Sequence, residues 1–136
     1  MKELKILTEE WLDAFGQAIN DNPAYRESAS WWEGDMICVI EPDGPLDHEV
    51  RFLLGLFHGE CTGVRLLEEG EEAESEFTLS GPYGNWVKIA KKELDTIQGI
   101  MSGKLRLVGN MAKLMRATRA AQEIVNSLQK VETEFL

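Results

Sequence analysis

An α+β fold, with about five mostly antiparallel strands and helices on one face, is the architecture this 136-residue sequence predicts. Three observations carry it. Apolar residues recur at helical spacing in Thr8–Ile19 and again after Met111, whereas residues 36–79 alternate or run continuously apolar, as strands do. Between them, Leu94–Met115 packs a helix, a glycine, a strand, a second glycine and the start of a long helix into 22 residues.

Thr8 caps the first helix, Glu9 and Glu10 suit its first turn, and Trp11, Leu12, Phe15, Ala18 and Ile19 share one face. Asn22-Pro23 reads as a cap with proline at the first helical position, opening a short helix toward Trp31-Trp32. Neighbouring tryptophans on a helix face differently, so one packs in the core and the other covers a sheet edge or a cavity mouth. Met36–Ile40 is a central strand, stopped by Glu41-Pro42-Asp43-Gly44-Pro45. Val50–His58 follows, with Val50, Phe52, Leu54 and Leu56 on one face, and Gly59-Glu60 turns the chain into Cys61–Leu67. Glu68–Glu76 is an acidic loop without the ligand spacing of a calcium loop. Phe77 and Leu79 mark a fourth strand ending at Ser80-Gly81-Pro82, and Trp86, Ile89 and Ala90 form a helical stripe among Lys88, Lys91 and Lys92.

In the segment after Leu94, Asp95 caps a short helix with Gln98 at the capping-box position, and Gly103 ends it in the left-handed conformation. Lys104–Val108 is a strand with Leu105 and Leu107 on one face and Arg106 and Val108 on the other. Gly109-Asn110 turns the chain and caps a final helix from about Met111 to about Val131. Its apolar set is Met111, Leu114, Met115, Ala121, Ile124, Val125 and Leu128, with Lys113, Arg116 and Arg119 on a separate stripe.

Met101-Ser102-Gly103-Lys104-Leu105, Gly109-Asn110-Met111 and Leu114-Met115 together resemble the signature of the sterol-carrier-protein family, the type-two lipid-transfer domain. Trp86–Leu94 is similar to that family's preceding helix. The resemblance implies a small α+β domain whose sheet and helices enclose an apolar tunnel for fatty acids, acyl-CoA or sterols, with no catalytic residues. It places the cavity between the final helix and the sheet, with Leu105, Leu107, Met101, Met111, Leu114 and Met115 as ligand contacts and Arg116 at the polar head. The three methionines are flexible and polarizable, which suits either ligand contact or core filling. The acidic loop, the tryptophan-rich N-terminal part and an ending in Glu134-Phe135-Leu136 rather than Ser-Lys-Leu depart from the family pattern, favouring a straight-chain acyl ligand over a sterol.

Composition excludes several other classes. The net charge of −10 divides into −14 over residues 1–85, +6 over 86–120 and −2 over 121–136. So acidic a surface opposes sequence-independent nucleic-acid binding; the basic stretch is either a solvated helix face or a landing site for a carboxylate or phosphate. Cys38 and Cys61 read as buried free thiols of a reducing, cytoplasmic setting, and neither a secretory leader nor a membrane span is expected. Gly99–Lys104 has three residues between its glycines and follows a helix, so it is no phosphate-binding loop. His58-Gly59-Glu60-Cys61 holds half of a zinc-deaminase pattern without the P-C-x-x-C half, His48 has no partner identifiable from the sequence, and no G-x-S-x-G elbow occurs.

Residues 1–136 are therefore expected to form one lipid-binding domain that needs no cofactor and no metal. Its expected task is to hold, and transfer, a fatty acid, acyl-CoA or similar lipid. Transient membrane contact and a homodimer are compatible with that task. The alternative is a protein-interaction or dimerisation module using the same apolar groove.

Overall fold

A computed structural model describes residues 3–136. The chain opens with a two-residue strand β1 (Leu4–Lys5) and then forms α1 (Glu9–Asn20). Thr8 caps α1 by accepting the Trp11 N–H, and the buried face is Trp11, Leu12, Phe15, Gly16 and Ile19. A side chain at Gly16 would press on Val64, so glycine lets α1 lie close on the sheet. In α2 (Pro23–Ser28), Asn22 accepts the Ala24 and Tyr25 N–H groups while proline tolerates the first turn, where its missing N–H costs nothing. Trp32 is buried and Trp31 is 44% exposed, so the pair divides between core and surface.

The five-stranded sheet is built from β2 (Met36–Glu41), β3 (Val50–Phe57), β4 (Glu60–Leu66), β5 (Phe77–Pro82) and β6 (Arg106–Val108), in the order β4-β3-β2-β5-β6. All neighbours are antiparallel except β2 and β5, and β2 is central as its apolar run implies. Cys38 lies opposite both Phe52 and Leu79, and Leu79 opposite Leu107, which puts these residues on one face under the helices. The hairpin turn is His58-Gly59 rather than Gly59-Glu60, one residue earlier than the sequence reading. Both turn residues have positive φ, 47° and 81°, the primed geometry that matches strand twist. An irregularity between Gly55 and Leu56 then shifts the register so that Leu56 faces Cys61.

The second half is α3 (Tyr83–Ala90), α4 (Thr96–Met101), β6, α5 (Met111–Arg116), α6 (Thr118–Leu128) and β7 (Thr133–Glu134). Asp95 caps α4 through the Gln98 N–H at 3.1 Å, Gly103 is left-handed at φ 78°, and Asn110 caps α5 through Lys113. The single long helix expected from Met111 is broken. Ala117 leaves helical geometry at ψ 21° and the Thr118 hydroxyl donates to the Met115 carbonyl at 2.7 Å. A threonine so bonded competes with the backbone ladder, which ends one helix and starts another. Lys113 and Arg116 therefore lie on α5 and Arg119 on α6. β1 and β7 pair in parallel, joining the two ends of the described chain. Among the described residues no helix is long and apolar enough to cross a membrane.

Candidate functional site: an apolar cavity between sheet and helices

Between the sheet and the helices lies a cavity of about 130 Å³. Its floor is Met36, Cys38 and Ile40 of β2, Phe52, Leu54 and Leu56 of β3, and Leu79 of β5, the inward positions of strands with period two. Trp11 and Phe15 of α1, Tyr25 of α2 and Trp32 wall one side. Tyr83, Trp86, Ile89 and Ala90 of α3 wall the other, and Leu114, Ala117, Ala120, Ala121, Ile124, Val125 and Leu128 form the roof. Three small alanines beside the break at Ala117 leave the roof short of side-chain volume, which is one reason a space remains.

The chemistry of this wall is apolar by construction. Among the described residues no charged side chain lines it. The indole N–H groups are satisfied by protein acceptors: Trp11 donates to Thr133 Oγ1 at 2.9 Å, Trp32 to the Gly34 carbonyl at 2.8 Å, and Trp86 to the Val39 and Gly81 carbonyls at 3.1 and 3.0 Å. The Tyr83 hydroxyl accepts the Leu136 N–H at 2.9 Å. Burial pushes the Cys38 thiol up to about 12, so it stays neutral at physiological pH. A space lined by hydrocarbon, with its indole N–H groups already bonded to the protein, offers water little and hydrocarbon much. A cavity of comparable size, about 150 Å³, stays dry and admits benzene.

Of the seven residues singled out from the sequence, Leu114 lines this cavity. Leu105, 2% exposed, packs with Leu79 and Ile89 in a neighbouring cluster, and half-buried Leu107 packs against that cluster and the main core. Met111 is half-buried, while Met101 and Met115 are 66% and 41% exposed. Arg116 is exposed, with its guanidinium 5.9 Å from the Trp31 ring. Lys113 is engaged elsewhere: it bonds both Glu76 carboxylate oxygens at 2.8 and 2.9 Å and the Glu33 carbonyl, over the Trp32 ring. The cavity does lie between the sheet and the final helical segment. Its other walls come from α1, α3 and β3, whose apolar faces were legible as faces but carry no mark distinguishing cavity wall from packed core.

The polar motifs have local roles. His58 Nε2 lies 2.8 Å from Glu33 Oε1 and its ring stacks on Phe57, far in character from a ligand set. Among the described residues no three His, Cys, Asp or Glu side chains converge on a metal position. In the acidic loop, Arg51 donates to the Glu68 and Glu71 carbonyls and Arg65 pairs with Glu71 at 2.9 Å. The Arg65 hydrogen bond holds the Glu71 carboxyl below its ordinary value.

This sheet order and cavity can be set against known proteins. A family model, the SCP-2 sterol transfer family, matches residues 15–122. The chain belongs to that family. A crystal structure of sterol carrier protein 2 aligns with it at 32% identity, over 93% of this chain and 98% of the other, with a TM-score of 0.83. The solution structure of a conserved hypothetical protein from Thermus thermophilus aligns at 31% identity, over 98% and 94% of the two chains, with a TM-score of 0.86. Sterol carrier protein 2 from Yarrowia lipolytica in its apo form, at 16% identity, 88% and 89% coverage and a TM-score of 0.59, shares the fold. No curated protein matches the chain. Membership of the SCP-2 family supports lipid binding and transfer as the general task.

Proposed function

We propose that this SCP-2 family protein binds the hydrocarbon tail of a fatty acid, acyl-CoA or similar single-chain lipid in the cavity under α6, and carries it between donors and acceptors. The observation that supports this most is the wall itself: aliphatic and aromatic side chains from both layers, no charge, and tryptophan N–H groups already bonded to the protein. Each methylene buried there contributes about 0.8 kcal/mol. The volume of about 130 Å³ is below the 300–1,000 Å³ usual for ligand sites, so a long chain enters only as the helical layer moves outward. The roof fits that requirement, because Ile124, Val125 and Leu128 of α6 are only half-buried and the helix is separated from α5 at Ala117.

Native mass spectrometry of the purified protein, followed by denaturation and lipid extraction, tests the reading. A co-purified acyl species at one per chain is expected. A dimer free of any lipid, and no uptake of added fatty acid, would replace the carrier with an interaction module.

A further inference from the structure

The apolar cavity adjoins a second, more polar space. Thr96, Ala121 and Val125 line the cavity and also line a recess of about 290 Å³ where the end of α3 meets α4 and α6. The rest of that recess is Lys92, Leu94, Asp95, Gln122 and Asn126. The other flank of α6 is closed differently. There Ala90 and Leu128 border a recess containing Lys91, but the Gln129 side-chain amide donates across to the Ala90 carbonyl, and Lys91 sits 4.9 Å above the Phe135 ring. Among the described residues no hydrogen bond joins α4 to α6. Of these two flanks, the α4–α6 seam is the one that parts without breaking a hydrogen bond.

Lys92 stands out at this seam. Its φ is 61°, the left-handed region in which glycine is the ordinary residue at a helix end. The chain folds back there, with the Glu93 and Leu94 N–H groups both donating to the Lys88 carbonyl. A lysine held in a conformation that glycine would adopt more cheaply is an outlier that points to a role for its side chain. Among the described residues, Lys92 is also the one cation that lines the cavity or this recess. The recess's own carboxylate, Asp95, is engaged in capping α4. An ionised head group cannot follow its tail into the cavity, where no partner would replace its hydration.

Resting on the carrier reading above, we propose that this recess is the head-group site for a single-chain lipid with an anionic head. The tail passes between α4 and α6 into the cavity, and the Lys92 ammonium is the charge partner of the head.

The test is displacement of a fluorescent fatty acid from the full chain by palmitate and by hexadecanol. It is run on wild type, Lys92→Met, Lys92→Gly, Lys92→Arg and Arg116→Ala. Lys92→Met and Lys92→Gly should weaken palmitate about two- to fivefold, the scale of an exposed ionic contact, and leave hexadecanol unchanged. Lys92→Arg should restore palmitate. Lys92→Gly should melt no lower than wild type, since glycine accepts the left-handed backbone, which separates loss of charge from loss of fold. The palmitate difference should shrink in about 0.5 M salt. An unchanged palmitate-to-hexadecanol ratio in Lys92→Met, or a selective palmitate loss in Arg116→Ala instead, overturns the proposal. If wild type binds neither lipid, the carrier reading itself fails and this site with it.

Discussion

Filling the cavity with protein should abolish the site while sparing the fold. Leu114 is 5% exposed and lines the roof, so a tryptophan there has its added ring directed into existing space. By comparison with a cavity of about 150 Å³ that holds benzene, a cavity of about 130 Å³ has room for about five carbon atoms. At about 0.8 kcal/mol per methylene, that burial is worth about 4 kcal/mol, roughly a thousandfold in affinity. Tryptophan carries about six more non-hydrogen atoms than leucine, enough to consume that room, and overpacking costs about 1–3 kcal/mol of stability. Leu114→Trp should therefore stay folded, with fatty-acid affinity down by one to three orders of magnitude, roughly in proportion to the space occupied. Leu114→Ala should do the reverse: lose about 2–5 kcal/mol of stability and keep or improve its affinity. The assay is titration with a fluorescent fatty acid beside thermal unfolding by circular dichroism. A natively folded Leu114→Trp that binds within about twofold of wild type would show that lipid does not occupy this space.

Two further predictions concern stability. The Cys38 thiol has its pKa raised by burial to about 12 in the folded chain, against 9.0 for the free group, so the unfolded chain loses that proton first as pH rises. Stability should then be fully present below about pH 9 and fall by up to about 1.4 kcal/mol per pH unit above it, and urea unfolding of Cys38→Ala should be flatter between pH 9 and 10. A wild-type curve already flat there would contradict the buried, neutral thiol. At the β3–β4 turn, Gly59 has φ 81° and a methyl group on it would lie 2.5 Å from the Arg26 carbonyl oxygen. Gly59→Ala should cost about 1–3 kcal/mol from left-handed strain and that backbone clash, read as a lower urea midpoint; an unmoved midpoint would mean the hairpin tip does not rest on α2.

Much of the architecture was legible because it is written in local physics. Thr8, Asn22, Asp95 and Asn110 each cap the helix that follows, since a short polar side chain before an apolar period satisfies otherwise orphaned N–H groups. The alternation of Phe52, Leu54 and Leu56 placed them on one face, and Gly103 adopts the left-handed turn expected of it. Leu94–Met115 carried the family resemblance, and the chain's membership bears that out.

What only the tertiary structure decided depends on contacts remote in sequence. The parallel pairing of β2 with β5, the β1–β7 pair and the helix break at Ala117 have no local signature strong enough to announce them. The cavity is the clearest case. An apolar face reads the same whether it meets a packed partner or a void, because periodicity records which way a side chain points and not what fills the space beyond it. Leu114 reaches the void, whereas Leu105, equally apolar and equally inward, meets Leu79 and Ile89 instead. Charge follows the same rule. Lys113, Arg116 and Lys92 all read as cations of one basic stretch, and the fold assigns the first to Glu76, the second to Trp31 and the third to the seam beside the cavity.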